Sequence, residues 1–135
     1  MRLSNYTIHA QGDNNKIIIF NDNTLLNLED LLNTNLRVKV NVESYLSDLA
    51  EIQNSWGNLE SIVESKYGGF WDWETLQNYN VSGTWFTFAG YEDFTIYISV
   101  DAEKIYIENE LFPQNHIVNM PLDEFIDILE QWKNL

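Results

Sequence analysis

The sequence predicts an α+β domain in which a mainly antiparallel sheet packs against helices. Residues 94–108 alternate apolar and polar side chains over two short runs, as the strands of a β-hairpin do. Residues 122–132 place apolar side chains at steps of three and four, the spacing of one helix face. We therefore expect a C-terminal amphipathic helix to cover one face of the sheet. The length of 135 residues fits a single domain.

The first part of the chain is expected to form a hairpin followed by a short helix. Residues 3–10 and 16–20 are strand-like and flank a turn-prone cluster at 12–15. Leucines then recur at helical spacing between residues 24 and 33.

Two further helices are expected in the middle of the chain. Residues 36–40 alternate apolar and basic side chains, which favours a short strand, although a helix would also fit. Asn41 is placed to cap a helix that runs to about residue 54. Asn58 is placed to cap a shorter helix that ends at Gly68.

More strands are expected after residue 80. Residues 81–89 are apolar on both faces, which is typical of a central strand. A turn is expected at 90–93, and residues 111–119 are expected to be a linker. The hairpin at 94–108 has a polar face that is a possible docking surface, formed by Thr95, Tyr97, Lys104 and Tyr106.

Charge is the strongest signal in the composition. Seven Lys and Arg against 21 Asp and Glu give a formal net charge of −14. Residues 1–42 carry four charges of each sign, so the excess lies in residues 43–135, with three cations against 17 carboxylates. A solvated acidic surface would explain this by itself, and so would a field that attracts a basic protein. Direct nucleic-acid binding is disfavoured, because phosphates would be repelled.

Several function classes lack their signals in this sequence. Cysteine is absent, which excludes disulfides and thiolate chemistry. No signal peptide is visible, and no apolar stretch approaches the roughly 20 residues that span a membrane. His9 and His116 stand alone, and no phosphate loop or nucleophile elbow occurs. We expect a protein of a reducing cytoplasm that is not an enzyme and has no catalytic residue, cofactor or metal.

Two stretches place large aromatic rings beside carboxylates. They comprise Trp71, Asp72, Trp73 and Glu74 in the first, and Tyr91, Glu92 and Asp93 in the second. Aromatic side chains are favoured interface anchors and carboxylates pair with basic partners, although tryptophans in the core would fit as well. The polar side of the final helix is a further candidate, or simply a solvated face. It carries Asp123, Glu124, Asp127 and Glu130.

The C-terminal part of the chain resembles a known family. The pattern comprises Asp93–Ile98, Lys104–Ile107 and then Met120–Trp132. It is similar to the C-terminal part of small immunity proteins of bacterial toxin systems, notably contact-dependent growth inhibition. The resemblance covers roughly the last third of the chain. It implies a compact acidic cytosolic protein that binds the C-terminal domain of a cognate toxin, commonly a nuclease, and blocks it.

The expected function is therefore that of an immunity protein, or antitoxin, acting through protein–protein interaction. A nuclease must hold phosphates, so its active site is basic, and an acidic inhibitor would dock there rapidly. The family fixes no contact positions, so the candidate residues come from charge and aromatic placement alone. Two alternatives stay open. One is an acidic mimic of nucleic acid, and the other is a carbohydrate-binding domain that uses Trp71, Trp73 or Trp85.

Overall fold

The α+β prediction is confirmed by a computed structural model, which describes residues 1–12, 14–73 and 83–135, with the backbone alone at 72 and 73. The helices in these ranges are α1 (Leu26–Asn33), α2 (Lys39–Asn54), α3 (Leu59–Lys66) and α4 (Leu122–Lys133). The strands are β1 (Thr7–Ala10), β2 (Lys16–Ile19), β3 (Trp71–Trp73), β4 (Gly83–Tyr91), β5 (Phe94–Ser99), β6 (Lys104–Asn109) and β7 (Val118–Pro121). Glu74 and the start of the strand expected at 81–89 lie outside the described residues.

The amino-terminal hairpin is confirmed as a two-stranded sheet of its own, but its first strand begins only at Thr7, because Leu3–Asn5 form a 3-10 turn. Strands β1 and β2 pair antiparallel, with Ile8 opposite Ile18. The other edge of β2 is satisfied by a side chain. The Asn33 amide accepts a hydrogen bond from Ile18 N at 2.8 Å and donates one to Ile18 O at 2.9 Å. One asparagine of α1 therefore takes the place of a neighbouring strand.

The second sheet has five antiparallel strands in the order β3-β4-β5-β6-β7. The hairpin expected at 94–108 is confirmed, with Ile96 opposite Ile107 and Ile98 opposite Ile105. The linker expected at 111–119 is wrong at its end, because Val118 begins β7 and pairs with Ile107. Antiparallel order gathers the β4–β5 turn and the end of β6 at one end of the sheet. The β5–β6 turn and the start of α4 lie at the other end.

Helix α4 packs on this sheet as expected, and its apolar side is buried. Phe125, Leu129 and Trp132 have no exposed surface. The indole N–H of Trp132 donates to Leu36 O at 2.7 Å. Each such large apolar side chain stabilises the fold by roughly 1.5–3 kcal/mol. The helical side of the sheet is therefore the core, and partner contacts are left to the ends and outer surfaces.

The strand expected at 36–40 is wrong. Leu36 is fully buried in a 3-10 turn, and α2 already begins at Lys39. Val40 therefore lies in the first turn of a helix, where it is 66% exposed. Asn41 is not a cap, because it lies inside the helix and its amide donates to Asn35 O at 2.8 Å. The apolar alternation comes from one buried leucine and two exposed valines rather than from a pleated strand.

The short helix expected after Asn58 is confirmed as α3, although the Asn58 side chain makes no capping hydrogen bond. Gly68 and Gly69 end it with φ angles of 77° and 92°. Gly69 N donates to Val63 O at 3.0 Å, which satisfies a carbonyl of the last helical turn.

The outer face of the five-stranded sheet carries a second aromatic cluster. Trp85 is fully buried and Tyr106 is 3% exposed, with their ring centroids 4.9 Å apart. Tyr97 is half-buried and packs against this cluster. On the polar face of the 94–108 hairpin, Tyr106 is therefore buried in the cluster, whereas Thr95, Tyr97 and Lys104 stay partly exposed.

Candidate functional site

The two aromatic–acidic stretches lie at opposite ends of β4. Asp72 pairs with Thr84 near the start of this strand, whereas Tyr91 is its last residue. Seven residues of strand at about 3.3 Å each separate these positions by about 23 Å. The two stretches therefore form two separate surfaces. Only one of them would lie at the centre of an interface with a small partner domain.

The first stretch is partly structural. Trp71 is half-buried, stacks on Trp85 at 6.0 Å between centroids and meets Tyr97 edge-on at 5.6 Å. Asp72 and Trp73 are described in backbone only, as part of β3, and Glu74 lies outside the described residues. Of the tryptophans named for a carbohydrate platform, Trp85 is buried and offers no ring face to a ligand.

The second stretch forms a tight turn at the opposite end of the sheet. Tyr91 pairs with Phe94, so Glu92 and Asp93 are the two turn residues. Glu92 has a φ of 50°, in the left-handed region that such two-residue turns require. Asp93 O accepts a hydrogen bond from Glu110 N at 2.7 Å. This bond joins the turn to the segment that follows β6.

That segment adds exposed apolar side chains to the turn. Leu111 is 61% exposed, Phe112 is 43% exposed and Tyr91 is 45% exposed. Their backbone is ordered, because Leu111 N donates to the Asn109 side chain at 3.1 Å and Phe112 N to Asn109 O at 3.2 Å. We define the hairpin patch as this surface. It consists of Tyr91, Glu92, Asp93, Glu110, Leu111 and Phe112.

The hairpin patch is negatively charged without compensation in its own sequence. No Lys or Arg occurs between residues 91 and 95 or between 108 and 115. Burial raises the pKa of Glu108, and the charge of Glu110 raises it further. Glu110 also accepts a hydrogen bond from the Thr95 hydroxyl at 3.2 Å. The patch therefore combines apolar anchors with carboxylates, one of which, Glu110, repels the neighbouring Glu108, and a basic partner would relieve this repulsion.

Helix α4 carries a second acidic surface at the other end of the sheet. Asp123 and Asp127 are exposed, and Asp127 accepts a hydrogen bond from the Gln131 amide at 2.8 Å. Glu124 is less available, because it lies 3.6 Å from the terminal ammonium of Met1. Asp123 also lines a cleft of about 260 Å³ at the start of α4. The other lining residues are Gln53, Trp56, Glu103 and Leu122.

The structure leaves most of the negative charge unneutralised. In the described ranges, ion pairs join only Met1 to Glu124 and Lys66 to Glu51. None of the described carboxylates is buried. No three His, Asp or Glu side chains among these residues converge in a way that could hold a metal ion. Nor does this part of the chain contain a helix of the length and apolarity that a membrane crossing needs.

Comparison with known proteins adds no relative, since no family model, curated protein or solved structure matches this chain.

Sequence reasoning missed Leu111 and Phe112 because they lie in the segment expected to be a linker, and it missed Glu110 because the expected hairpin ends at residue 108. A usable signal existed in the hairpin register. Once Phe94 and Asn109 are the ends of paired antiparallel strands, the residues that precede and follow them must be neighbours. Apolar side chains next to a known acidic turn would then have identified the patch.

Proposed function

We propose that this protein is an immunity protein that binds a basic bacterial toxin domain, such as a nuclease, and neutralises it without catalysis. The observation that carries the proposal is the hairpin patch. It places three exposed apolar side chains among carboxylates on an ordered turn. The resemblance of residues 93–132 to immunity proteins supports the toxin as the partner.

The two components of the patch do different work in binding. Tyr91, Leu111 and Phe112 are large enough to fill pockets on a partner, and desolvated anchors of this kind carry most of the affinity of an interface. The carboxylates mainly raise the association rate and reject acidic partners. A net charge of −14 extends this attraction beyond the patch. Rapid capture matters for an inhibitor whose target is already active.

The acidic surface of α4 supports the same function in a secondary role. Asp123, Asp127 and Glu130 recur at steps of four and three, so they form one stripe on the exposed side of the helix. The stripe has no exposed apolar anchor among these positions. We therefore assign it to long-range attraction and place the contact centre at the hairpin patch.

The test is binding to the C-terminal domain of the toxin encoded beside this protein, measured by surface plasmon resonance. Glu92→Lys combined with Glu110→Lys should slow association by roughly tenfold or more at low salt. The matched control is Glu60→Lys with Glu64→Lys, which changes net charge equally at exposed positions of α3, a helix that contributes no residue to the patch. This control should slow association by no more than about threefold.

Truncation of the anchors should affect the other rate constant. Phe112→Ala is expected to speed dissociation by roughly tenfold or more, with little change in association. The proposal fails if the neighbouring toxin domain does not bind. The assignment of the patch fails if the two charge-reversed proteins associate at equal rates.

A further inference from the structure

Strand β4 has an open edge over most of its length. Strand β3 pairs only with Gly83–Trp85, while β5 pairs with β4 as far as Tyr91. Residues 86–91 of β4 therefore have a neighbouring strand on one side and, in the described ranges, none on the other. An edge of this kind can accept an additional strand through its backbone.

The register identifies which backbone groups face the open side. Val100 N donates to Thr84 O at 2.9 Å, so the backbone N–H and C=O of Thr84 point towards β5. Along an antiparallel ladder, residues whose backbone groups bond to the partner strand alternate with residues whose backbone groups point away from it. An irregularity between Thr87 and Ala89 shifts this alternation by one residue. Tyr91 closes the two-residue turn as a bonded pair, so Gly90, which lies opposite Thr95, directs its N–H and C=O outward.

The outward groups of Gly90 face a groove between β4 and the first turns of α2. The groove has a volume of about 460 Å³, a size typical of ligand clefts. Asn41, Ser44 and Tyr45 line it from the helix. The Tyr45 hydroxyl accepts a hydrogen bond from the Asn35 amide at 3.4 Å and, like any tyrosine hydroxyl at neutral pH, can donate one of its own. The groove therefore offers backbone and side-chain hydrogen bonds from both of its walls.

No charged residue lines the groove, but carboxylates lie at both of its ends. Glu92 follows Tyr91 at one end. Asp48 lies one helical turn beyond Ser44 on the same face of α2. Burial of Tyr67 raises its pKa to about 12, and the charges of Asp48 and Glu51 raise it further, so Asp48 lies on the side of α2 that faces this ring. The Tyr67 ring in turn lies 5.9 Å from that of Phe88 in β4. An extended segment along the β4 side of the groove would thus meet a carboxylate at each end, while the cations Arg37 and Lys39 adjoin the opposite wall at Asn35 and Asn41.

We propose that this groove binds an extended, basic segment of the partner protein, which adds to the open edge of β4 as a short strand. The inference rests on the proposed function, because it takes the partner to be a basic protein. Backbone bonds to Gly90 would hold the segment in register, and lysine or arginine side chains would reach Asp48 and Glu92. A second copy of this chain is disfavoured as occupant by its own net charge of −14.

The probe is a fluorescein-labelled peptide, Lys-Thr-Lys-Val-Lys-Thr, titrated with the full chain and followed by fluorescence anisotropy. Two control peptides replace its lysines with glutamate or its central valine with proline. The proline peptide has the same charge but cannot pair fully as a strand. It should bind at least about fivefold more weakly than the parent peptide, the effect of roughly one lost hydrogen bond. The glutamate peptide should not bind.

The matched protein variants are Gly90→Pro and Gly90→Ala. Proline removes the outward N–H and no bond to β5, whereas alanine keeps the N–H, and its Cβ would meet no atom within 4 Å. Gly90→Pro should weaken binding of the parent peptide about fivefold or more, whereas Gly90→Ala should weaken it less than about twofold. In the wild-type complex, hydrogen exchange at the Gly90 amide should slow, which tests the pairing even if the proline variant misfolds.

Equal binding of the valine and proline peptides, or an unprotected Gly90 amide in the saturated complex, would overturn the groove proposal. Its failure can be separated from that of the proposed function. In one outcome, the toxin domain binds Gly90→Pro as tightly as it binds the wild-type protein, yet binds the variant reversed at Glu92 and Glu110 more weakly. That result would support the proposed toxin partner and refute strand addition in the groove.

Discussion

Asn27→Leu tests how the hairpin patch is held in place. Asn27 is 1% exposed, and its amide donates to Ile107 O at 3.1 Å and to His116 O at 3.2 Å. The Asn115 amide donates to Asn27 Oδ1 at 3.2 Å. A single side chain of α1 thus fixes the segment that follows Phe112 against β6.

The expected loss of stability follows from these three hydrogen bonds. Leucine has the branched shape of asparagine but is somewhat larger and can make none of these bonds. Each lost bond costs roughly 0.5–1.5 kcal/mol, and the two carbonyls keep their desolvation cost when this donor is removed. Apolar contacts of the new side chain recover part of the loss, so we expect about 2–3 kcal/mol. At a urea slope of about 2 kcal/mol per molar, the midpoint falls by about 1–1.5 M.

The assay is urea unfolding followed by tryptophan fluorescence. The control Asn115→Ala removes one of the three bonds at a half-exposed position and should cost less than about 1 kcal/mol. Limited chymotrypsin digestion should also cut Asn27→Leu faster after Leu111, because the segment is less firmly held. An Asn27→Leu protein within about 0.5 kcal/mol of wild type would refute the role given to this buried amide.

Three further predictions concern stability. Tyr67 has a pKa raised to about 12 by burial first and by nearby carboxylates second, so its stabilising contribution is constant below pH 10 and declines as pH rises towards 12; Tyr67→Phe should reduce this decline in alkaline unfolding measurements. Gly83→Ala should cost about 2–4 kcal/mol in urea unfolding, since φ is 127° and the new methyl group would overlap the Asp101 carboxylate; a cost under about 1 kcal/mol would contradict this. Trp132→Phe should cost about 2–4 kcal/mol through the lost bond to Leu36 and a smaller ring, as measured by thermal unfolding.

The elements predicted correctly are those whose signal is local. Residues 122–132 repeat apolar side chains over three turns, and no other arrangement buries them together. The 94–108 hairpin alternates cleanly on both strands. β7 was missed because four residues that include Pro121 carry little strand pattern of their own. Its partner, β6, fixes it through contacts that the local sequence does not encode. The strand predicted at 36–40 is wrong for a different reason, because helix and strand patterns cannot be told apart over only five residues.

The candidate site could be predicted only in part, because exposure depends on tertiary packing. Aromatic rings beside carboxylates look alike in both stretches. The structure packs Trp71 on Trp85 but leaves Tyr91 45% exposed. The two rings differ in exposure because the two ends of β4 have different neighbours. Trp71 lies opposite a strand whose outer face is aromatic, whereas Tyr91 ends its strand at a two-residue turn. Neither neighbour can be inferred from the local sequence around Trp71 or Tyr91.

Salt is expected to act in opposite directions on folding and on partner binding. Among the carboxylates that the structure describes, only Glu51 and Glu124 lie in ion pairs, so repulsion between the others opposes folding. Raising NaCl from about 0.01 M to about 1 M shortens the Debye length from about 30 Å to about 3 Å. The melting temperature should then rise by a few degrees, as about 1 kcal/mol of relieved repulsion implies.

The same screening should slow association with a basic toxin domain, because it removes the field that steers the encounter. A melting temperature that falls with NaCl would contradict the dominance of repulsion in this fold. If it rises while association slows, unfolding cannot explain the weaker binding. The loss must then come from the electrostatic attraction itself. The slope of the association rate with salt should be smaller in the protein with Glu92 and Glu110 reversed than in the control reversed at Glu60 and Glu64.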